Sequence, residues 1–227
     1  MKPIVISPLL LASFVLAAPG ADLWRPTLTP VDEPYTNIGR NAYFTLEPGY
    51  QLVFAGKDGG KPAELVITVL EDTQDIGNVK TRVVEERESV GGKLVEESRN
   101  FFAIGVNTRN VYYFGEDVDV YKGDKVVHEG AWRAGTNGAK HGILVPGTIQ
   151  TGDRYYQEQA PGVAMDRAEN VSTKKTVKTP TGKFNRCLKT KETTPLESGK
   201  EYKFYAPGIG LVQDADLRLV KYGFVRN

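Results

Sequence analysis

The chain has 227 residues, of which 25% are charged and 40% are hydrophobic, an ordinary globular composition that is enough to bury one core. Its 29 basic residues oppose 28 acidic ones, and a formal charge of +1 gives no general attraction to nucleic acid, so we expect no nucleic-acid partner. The single cysteine, Cys187, excludes an intramolecular disulfide, and the two histidines are too few for a Cys/His zinc site.

The N-terminus has the pattern of a secretory signal peptide. Lys2 supplies the positive start, Ile4 to Leu16 form an apolar run, and small residues follow it. We predict cleavage after Ala17, with cleavage after Gly20 and an uncleaved anchor as alternatives. Because the run is too short to span a bilayer, we expect no transmembrane anchor and predict export to the periplasm or beyond.

The remainder divides into two parts. Residues 18–42 form a proline-rich arm, in which Ala21 to Pro34 holds three prolines and no periodicity, so we expect an extended segment. Residues 43–227 are predicted to form a single β domain.

Apolar runs of four to ten residues, rich in Val, Tyr, Phe, Thr and Ile, recur between Gly, Pro, Asn and Asp after the arm. No convincing helical period is present. We predict strands at Tyr43–Leu46, Gln51–Ala55, Glu64–Glu71, Val79–Ser89, Lys93–Ile104, Asn110–Phe114, Val118–Lys122, Lys125–Glu129, Arg154–Gln159, Ala164–Thr179, Lys183–Thr193, Lys200–Tyr205 and Gly210–Tyr222. The predicted fold is all-β: one mainly antiparallel curved sheet of about a dozen strands, a half-barrel or open barrel.

Turn chemistry assigns several connections. Gly91-Gly92, Gly123-Asp124 and Pro180-Thr181-Gly182 each predict a hairpin. Two Ala-Pro-Gly segments, at 160–162 and 206–208, predict type II corners. The first hairpin carries charged residues near its tip, which we expect to project into solvent: Glu85, Glu86, Arg87, Glu88, Glu96, Glu97 and Arg99.

The best candidate for chemistry is an acidic strand that faces a histidine. A two-residue turn at Gly123-Asp124 places Asp119 opposite His128, where the side chains touch. If the protein is an enzyme, Asp117, Asp119 and His128 are the candidate catalytic residues; Glu116, Asp117 and Asp119 are weak candidates for a metal site. The alternative is a solvated edge with one ion pair. Phosphate-loop and dinucleotide motifs are missing, and we expect no cofactor.

Two further regions are candidates for binding. Trp132, Arg133 and His141 flank an irregular loop and are predicted to line a ligand pocket, unless Trp132 only plugs the end of the sheet. Nine basic residues against three acidic ones between Val171 and Lys203 would attract an anionic partner such as a glycan or headgroup, unless they form an ordinary solvated strand face. Cys187 is expected to be a small apolar filler in a strand, and a reactive or dimerising thiol is the alternative.

The second half of the chain resembles a family of uncharacterised exported bacterial proteins. The resemblance rests on Tyr113–Val118, His128–Trp132, Ala160–Ala164, Leu188–Glu192 and Tyr205–Val212. It implies export and brings no activity with it. The last of these segments also resembles the end of half-barrel domains in periplasmic carrier and lipoprotein-chaperone proteins.

Together these features predict an exported, non-enzymatic binding or envelope-associated module. Its concave sheet face would hold an apolar or amphipathic ligand, with an apolar or anionic small molecule or glycan as partner. The alternatives are a metal- or carboxylate/His-dependent hydrolase and a structural surface protein.

Overall fold

The computed structural model describes residues 24–123 and 125–225. The predicted signal peptide, residues 1–17, lies outside this part of the chain and stays a prediction. The described residues form strands and no helix, so the predicted all-β class is confirmed. Within these residues there is accordingly no helical segment with the length and apolar character to cross a membrane.

Eighteen strands are formed by the described part of the chain. The first nine are β1 (Tyr35–Thr36), β2 (Gly39–Asn41), β3 (Phe44–Leu46), β4 (Tyr50–Asp58), β5 (Lys61–Ile76), β6 (Val79–Val90), β7 (Lys93–Gly105), β8 (Val111–Lys122) and β9 (Lys125–His128). The second nine are β10 (Trp132–Arg133), β11 (Lys140–Val145), β12 (Arg154–Tyr156), β13 (Glu158–Gln159), β14 (Arg167–Thr179), β15 (Gly182–Thr193), β16 (Glu201–Ala206), β17 (Gly210–Asp214) and β18 (Leu217–Phe224).

Sixteen of these strands belong to one antiparallel sheet. Its order is β12-β14-β15-β16-β17-β18-β4-β5-β6-β7-β8-β11-β13, with β1 paired to β7 and both β9 and β10 paired to β8. Only Gln157 separates β12 from β13, so the two ends of this order meet and the sheet nearly closes into a barrel. The predicted curved antiparallel sheet is confirmed. Strands β2 and β3 form a separate pair.

Several strand boundaries differ from those predicted. The predicted strand Gly210–Tyr222 is two strands, because Ala215 takes a positive φ of 45° at a tight turn. Conversely, β8 joins two predicted strands across a bulge at Phe114–Gly115. Strand β11 lies at the end of the predicted irregular loop, and β1 and β2 lie within the predicted arm.

The sheet is covered on both faces along β7 and β8. Phe102 and Ile104 point into the main core inside the sheet, whereas Phe101 and Ala103, of opposite parity, belong to a second apolar cluster outside it. Leu28 and Tyr35 of the N-terminal segment pack on that outer cluster. Cys187 is fully buried in the inner core, as its expected filler role requires.

Glu33 fastens the N-terminal segment to this outer surface. Its carboxylate accepts hydrogen bonds from the backbone N–H groups of Asn107 (2.7 Å) and Thr108 (3.0 Å). It also accepts hydrogen bonds from the hydroxyls of Thr108 and Tyr112, the latter at 2.8 Å. The arm is therefore part of the packed structure from Thr27 onward, where the backbone N–H groups of Thr27 and Leu28 donate to the Arg154 carbonyl.

The predicted turns are formed within the described residues, which do not include Asp124 of the predicted Gly123-Asp124 turn. Residues 91–92 connect β6 to β7. In both Ala-Pro-Gly segments, the residue after the glycine donates its N–H to the alanine carbonyl, at 3.0 Å for Val163 to Ala160 and 3.2 Å for Ile209 to Ala206. Gly162 and Gly208 share a φ of 76°, the value that a type II turn needs at its third position.

Candidate functional site

The inward-facing side chains change from apolar to acidic at one level of the sheet. On β6, buried Val84 is followed on the same face by Glu86 and Glu88. On β15, fully buried Leu188 is followed two and four residues later by Thr190 and Glu192. One half of the interior is thus a packed apolar core, and the other half is polar.

Besides Asp166 and Glu201, which also lie near Lys203, seven carboxylates of the described residues line the polar half. We call them, with Lys203, the acidic cluster: Glu86, Glu88, Glu96, Glu116, Glu158, Glu192 and Asp214. They come from six strands on opposite sides of the sheet (β6, β7, β8, β13, β15 and β17), so only the closure of the sheet brings them together.

Lys203 is the cation of the acidic cluster. Its Nζ lies 3.3 Å from Glu192 Oε2 and 3.5 Å from Asp214 Oδ2. The carboxylates of Asp214 and Glu192 hold the pKa of Lys203 well above its usual value, although burial acts in the opposite direction. Glu192 also accepts hydrogen bonds from Gln157 Nε2 (3.2 Å) and the Thr190 hydroxyl (3.3 Å).

Five of the seven carboxylates form no ion pair with any described residue: Glu86, Glu88, Glu96, Glu116 and Glu158. Burial raises the pKa of Glu86 and of Glu88 to about 7. Burial also raises the pKa of Glu116 to about 7, against the opposing effect of a hydrogen bond from the Tyr113 hydroxyl at 2.9 Å. These groups therefore change charge near neutral pH.

Glu158 is the most enclosed of the five. It is 9% exposed, and its carboxylate forms no ion pair within the described residues, although the backbone N–H of Asp166 donates a hydrogen bond to it. Burial raises the pKa of Glu158 well above the ordinary value of a glutamate. A buried carboxylate that no cation neutralises is costly, which favours its protonated form or a bound cation.

Apolar and aromatic side chains border the acidic cluster. Across the β5–β6 pair, Leu65 lies opposite Glu88 and Ile67 lies opposite Glu86, with Phe54 behind them on β4. On the far side, the rings of Tyr113 and buried Trp132 lie 5.4 Å apart, edge to face, beside Glu116. Carboxylates and apolar side chains therefore lie next to each other at this level of the sheet.

The residues predicted for catalysis lie on the outer face. The predicted register is formed, with Asp119 opposite His128 and 2.5 Å between Asp119 Oδ1 and His128 Nδ1. The His128 side chain is 79% exposed. Asp117 instead binds Arg133, whose Nη2 donates to both carboxylate oxygens at 2.8 and 2.7 Å.

The three weak candidates for a metal site do not converge. Glu116 points into the interior, whereas Asp117 and Asp119 point outward, because adjacent residues of a strand face opposite sides. Across the described residues, no group of three or more His, Cys, Asp and Glu side chains has the arrangement of a metal site.

The residues predicted to bind a ligand are separated by the sheet. Trp132 packs in the inner core, while Arg133 lies over the outer ring of Phe101, 4.3 Å from its centroid. His141 stacks on Phe114 with ring centroids 4.8 Å apart, and burial lowers its pKa. Trp132 therefore borders the acidic cluster, and the other two lie in the outer apolar layer.

The acidic cluster was missed because the charged hairpin was expected to lie wholly in solvent. That expectation is wrong for Glu86, Glu88 and Glu96, which face the interior. The residues between them face outward and pair, as in the 2.7 Å contact of Arg87 with Glu97. The sequence does contain a signal for their position. Side chains alternate between the two faces of a strand, so Glu86 and Glu88 lie on the same face as the apolar Val84.

Comparison with known proteins gives a distant likeness in fold. The crystal structure of a protein from Parabacteroides distasonis, described as a lipoprotein, aligns with 82% of this chain and all of its own, at 13% sequence identity and a TM-score of 0.42. No protein-family model matches the chain, and no curated protein matches it.

Proposed function

We propose that the protein is an exported, non-enzymatic binding module of the cell envelope, and that its interior takes a cation with an apolar body, such as an alkylammonium ion. The observation that carries this proposal is the acidic cluster, in which five carboxylates without an ion pair share one space with apolar side chains. A negative interior disfavours an anionic small molecule at this place.

Lys203 supports the choice of an ammonium group. It is a primary ammonium on a flexible chain, and the cluster holds it in the charged form between Glu192 and Asp214. The same surroundings would stabilise a second ammonium next to the carboxylates that Lys203 does not reach.

Glu158 is the group that we expect to meet the ligand. Its buried carboxylate forms no ion pair within the described residues, and an ammonium at hydrogen-bond distance would supply the neutralising charge. The nearby rings of Tyr113 and Trp132 belong to the residue types that bind organic cations through their π faces. Leu65 and Ile67 would contact the apolar body of the ligand.

The test compares two ligands of equal chain length and opposite charge. We expect n-octylammonium to bind in isothermal titration calorimetry at about pH 8, where carboxyl groups with a pKa near 7 are ionised. We expect n-octanoate to bind much more weakly or not at all. Equal affinity for the two ligands, or binding of octanoate alone, would contradict the proposal.

A matched pair of variants locates the site. Glu158→Gln should weaken octylammonium binding by about tenfold or more, as expected for the loss of a charged hydrogen bond. Asp119→Asn removes a carboxylate from the outer face and should leave the affinity unchanged. Unchanged binding by Glu158→Gln, with both variants folded by circular dichroism, would show that the ligand lies elsewhere.

A further inference from the structure

The tip of the β14–β15 hairpin is strongly basic. Residues 171–187 contain five basic side chains and no acidic one. All five are exposed, and none forms an ion pair with a described residue: Lys174, Lys175, Lys178, Lys183 and Arg186. Further along β15, by contrast, Lys191 pairs with Glu169 of the neighbouring strand at 2.8 Å. The tip thus presents uncompensated positive charge.

The hairpin tip is held in a fixed position against the body of the protein. Arg218 of β18 donates a hydrogen bond to the Lys178 carbonyl at 3.0 Å, and the Phe184 ring lies 6.2 Å from that of Tyr222. On the inner side, Val177 and Cys187 are buried in the core. The charges therefore stand on an ordered surface.

Exposed aromatic residues lie beside these charges. Tyr222 is 41% exposed and Phe224 is 54% exposed, and Lys221 precedes them in the same strand. The Phe224 ring packs edge to face on Tyr50, with centroids 5.3 Å apart, so it is oriented by the fold. Lysine and arginine interspersed with exposed aromatic side chains are typical of surfaces that lie at a membrane interface.

We propose that this basic tip, together with Tyr222 and Phe224, binds an anionic lipid surface. Charge alone would suit any polyanion, but the aromatic side chains gain free energy only where an apolar phase lies next to the negative charge. A bilayer with anionic headgroups offers both. This inference does not depend on a ligand in the interior.

The test is sedimentation of the full-length mature protein with vesicles. We expect binding to phosphatidylcholine vesicles that contain phosphatidylglycerol, weak binding to phosphatidylcholine alone, and a large loss in high salt. Lys175→Gln, Lys178→Gln and Lys183→Gln together should lower the partition coefficient by roughly 100-fold, or about fivefold per charge.

A control triple variant carries the same change of charge. Lys57→Gln, Lys61→Gln and Lys93→Gln neutralise three exposed lysines near the β4–β5 and β6–β7 turns and should leave vesicle binding within about twofold of the unaltered protein. Equal losses in the two triple variants would overturn the proposal, because they would mean that only overall charge matters.

The aromatic residues separate a lipid surface from a soluble polyanion. Tyr222→Ser with Phe224→Ser should weaken vesicle binding several-fold while leaving binding to heparin, an anionic polysaccharide, unchanged. If heparin binds and anionic vesicles do not, or if the aromatic variant binds vesicles normally, the lipid proposal is wrong. Thermal unfolding of each variant verifies that the fold is intact.

Discussion

At the scale of single residues, Glu33 stands out on the outer surface because its carboxylate accepts four hydrogen bonds. Burial raises its pKa, but hydrogen bonds from Thr108, Tyr112 and Asn107 outweigh burial and hold the pKa below its usual value. Its charged form is therefore favoured by folding. The stability that it contributes is present above the unfolded-state pKa and is lost as the pH falls through the lower folded-state value.

We predict that Glu33→Gln lowers the free energy of unfolding by about 1–3 kcal/mol at neutral pH, because a neutral amide does not replace a carboxylate that accepts four hydrogen bonds. Urea denaturation measures the change. Asp32→Asn alters the adjacent exposed carboxylate and should change the free energy by less than about 0.5 kcal/mol. A similar loss in the two variants would contradict this account of the arm.

At the scale of elements, the two Ala-Pro-Gly corners depend on a backbone conformation that favours glycine. Gly208 has a φ of 76°, and a side chain at this position would meet no atom within 4 Å, so any cost of substitution comes from the backbone itself. We predict that Gly208→Val lowers the free energy of unfolding by about 1–3 kcal/mol. Gly208→Asn should cost less, because asparagine tolerates this conformation. Equal thermal midpoints for the valine variant and the unaltered protein would refute the assignment.

Local turn chemistry was enough to predict pairing within hairpins. The turn after Lys122 fixes the register of β8 and β9, and counting in steps of two then places Asp119 opposite His128, which is the contact that forms. The all-β class followed in the same way from short apolar runs and their bounding glycines. Where a turn lacks glycine, as at Ala215, the prediction joined two strands into one.

The interior site was beyond this kind of reasoning. Glu85 and Glu86 are chemically identical, and only the closure of the sheet decides that Glu86 faces inward beside Lys203 while Glu85 lies 4.0 Å from Arg99 outside. The members of the acidic cluster are separated along the chain by up to 128 residues, from Glu86 to Asp214. No local spacing signals that arrangement.

At the scale of the whole molecule, the acidic cluster makes stability depend on pH. Burial raises the pKa of Glu86 and Glu88 to about 7, so the folded protein holds protons that the unfolded chain has already released above the ordinary value of 4.5. Because the folded state binds more protons in this window, the free energy of unfolding falls as pH rises from about 4.5 to about 7.

We predict that the protein is more stable at about pH 5 than at about pH 8, and that Glu86→Gln with Glu88→Gln flattens this slope. The double variant should gain on the order of 1 kcal/mol per group at the higher pH, a value reduced by the partial access of both groups to solvent. Urea denaturation across the pH range measures the slope. Glu85→Gln, on the outer face of β6, is the matched control. If the double variant leaves the pH dependence of the free energy of unfolding unchanged, that dependence originates in other groups.

The formal charge of the chain is only +1, but its positive and negative side chains are concentrated at opposite ends of the sheet. Strand β15 runs from the basic tip at Gly182 to Glu192 in the acidic cluster, roughly 33 Å at the usual rise per residue. Above about pH 7, where these carboxyl groups are ionised, opposite charges separated by that length form a large electric dipole, on which a charged boundary exerts a torque. An anionic boundary therefore turns the basic end toward itself, and the acid-lined end of the molecule points into the surrounding water. A molecule oriented in this way would take up its ligand from solution rather than from the surface to which it adheres.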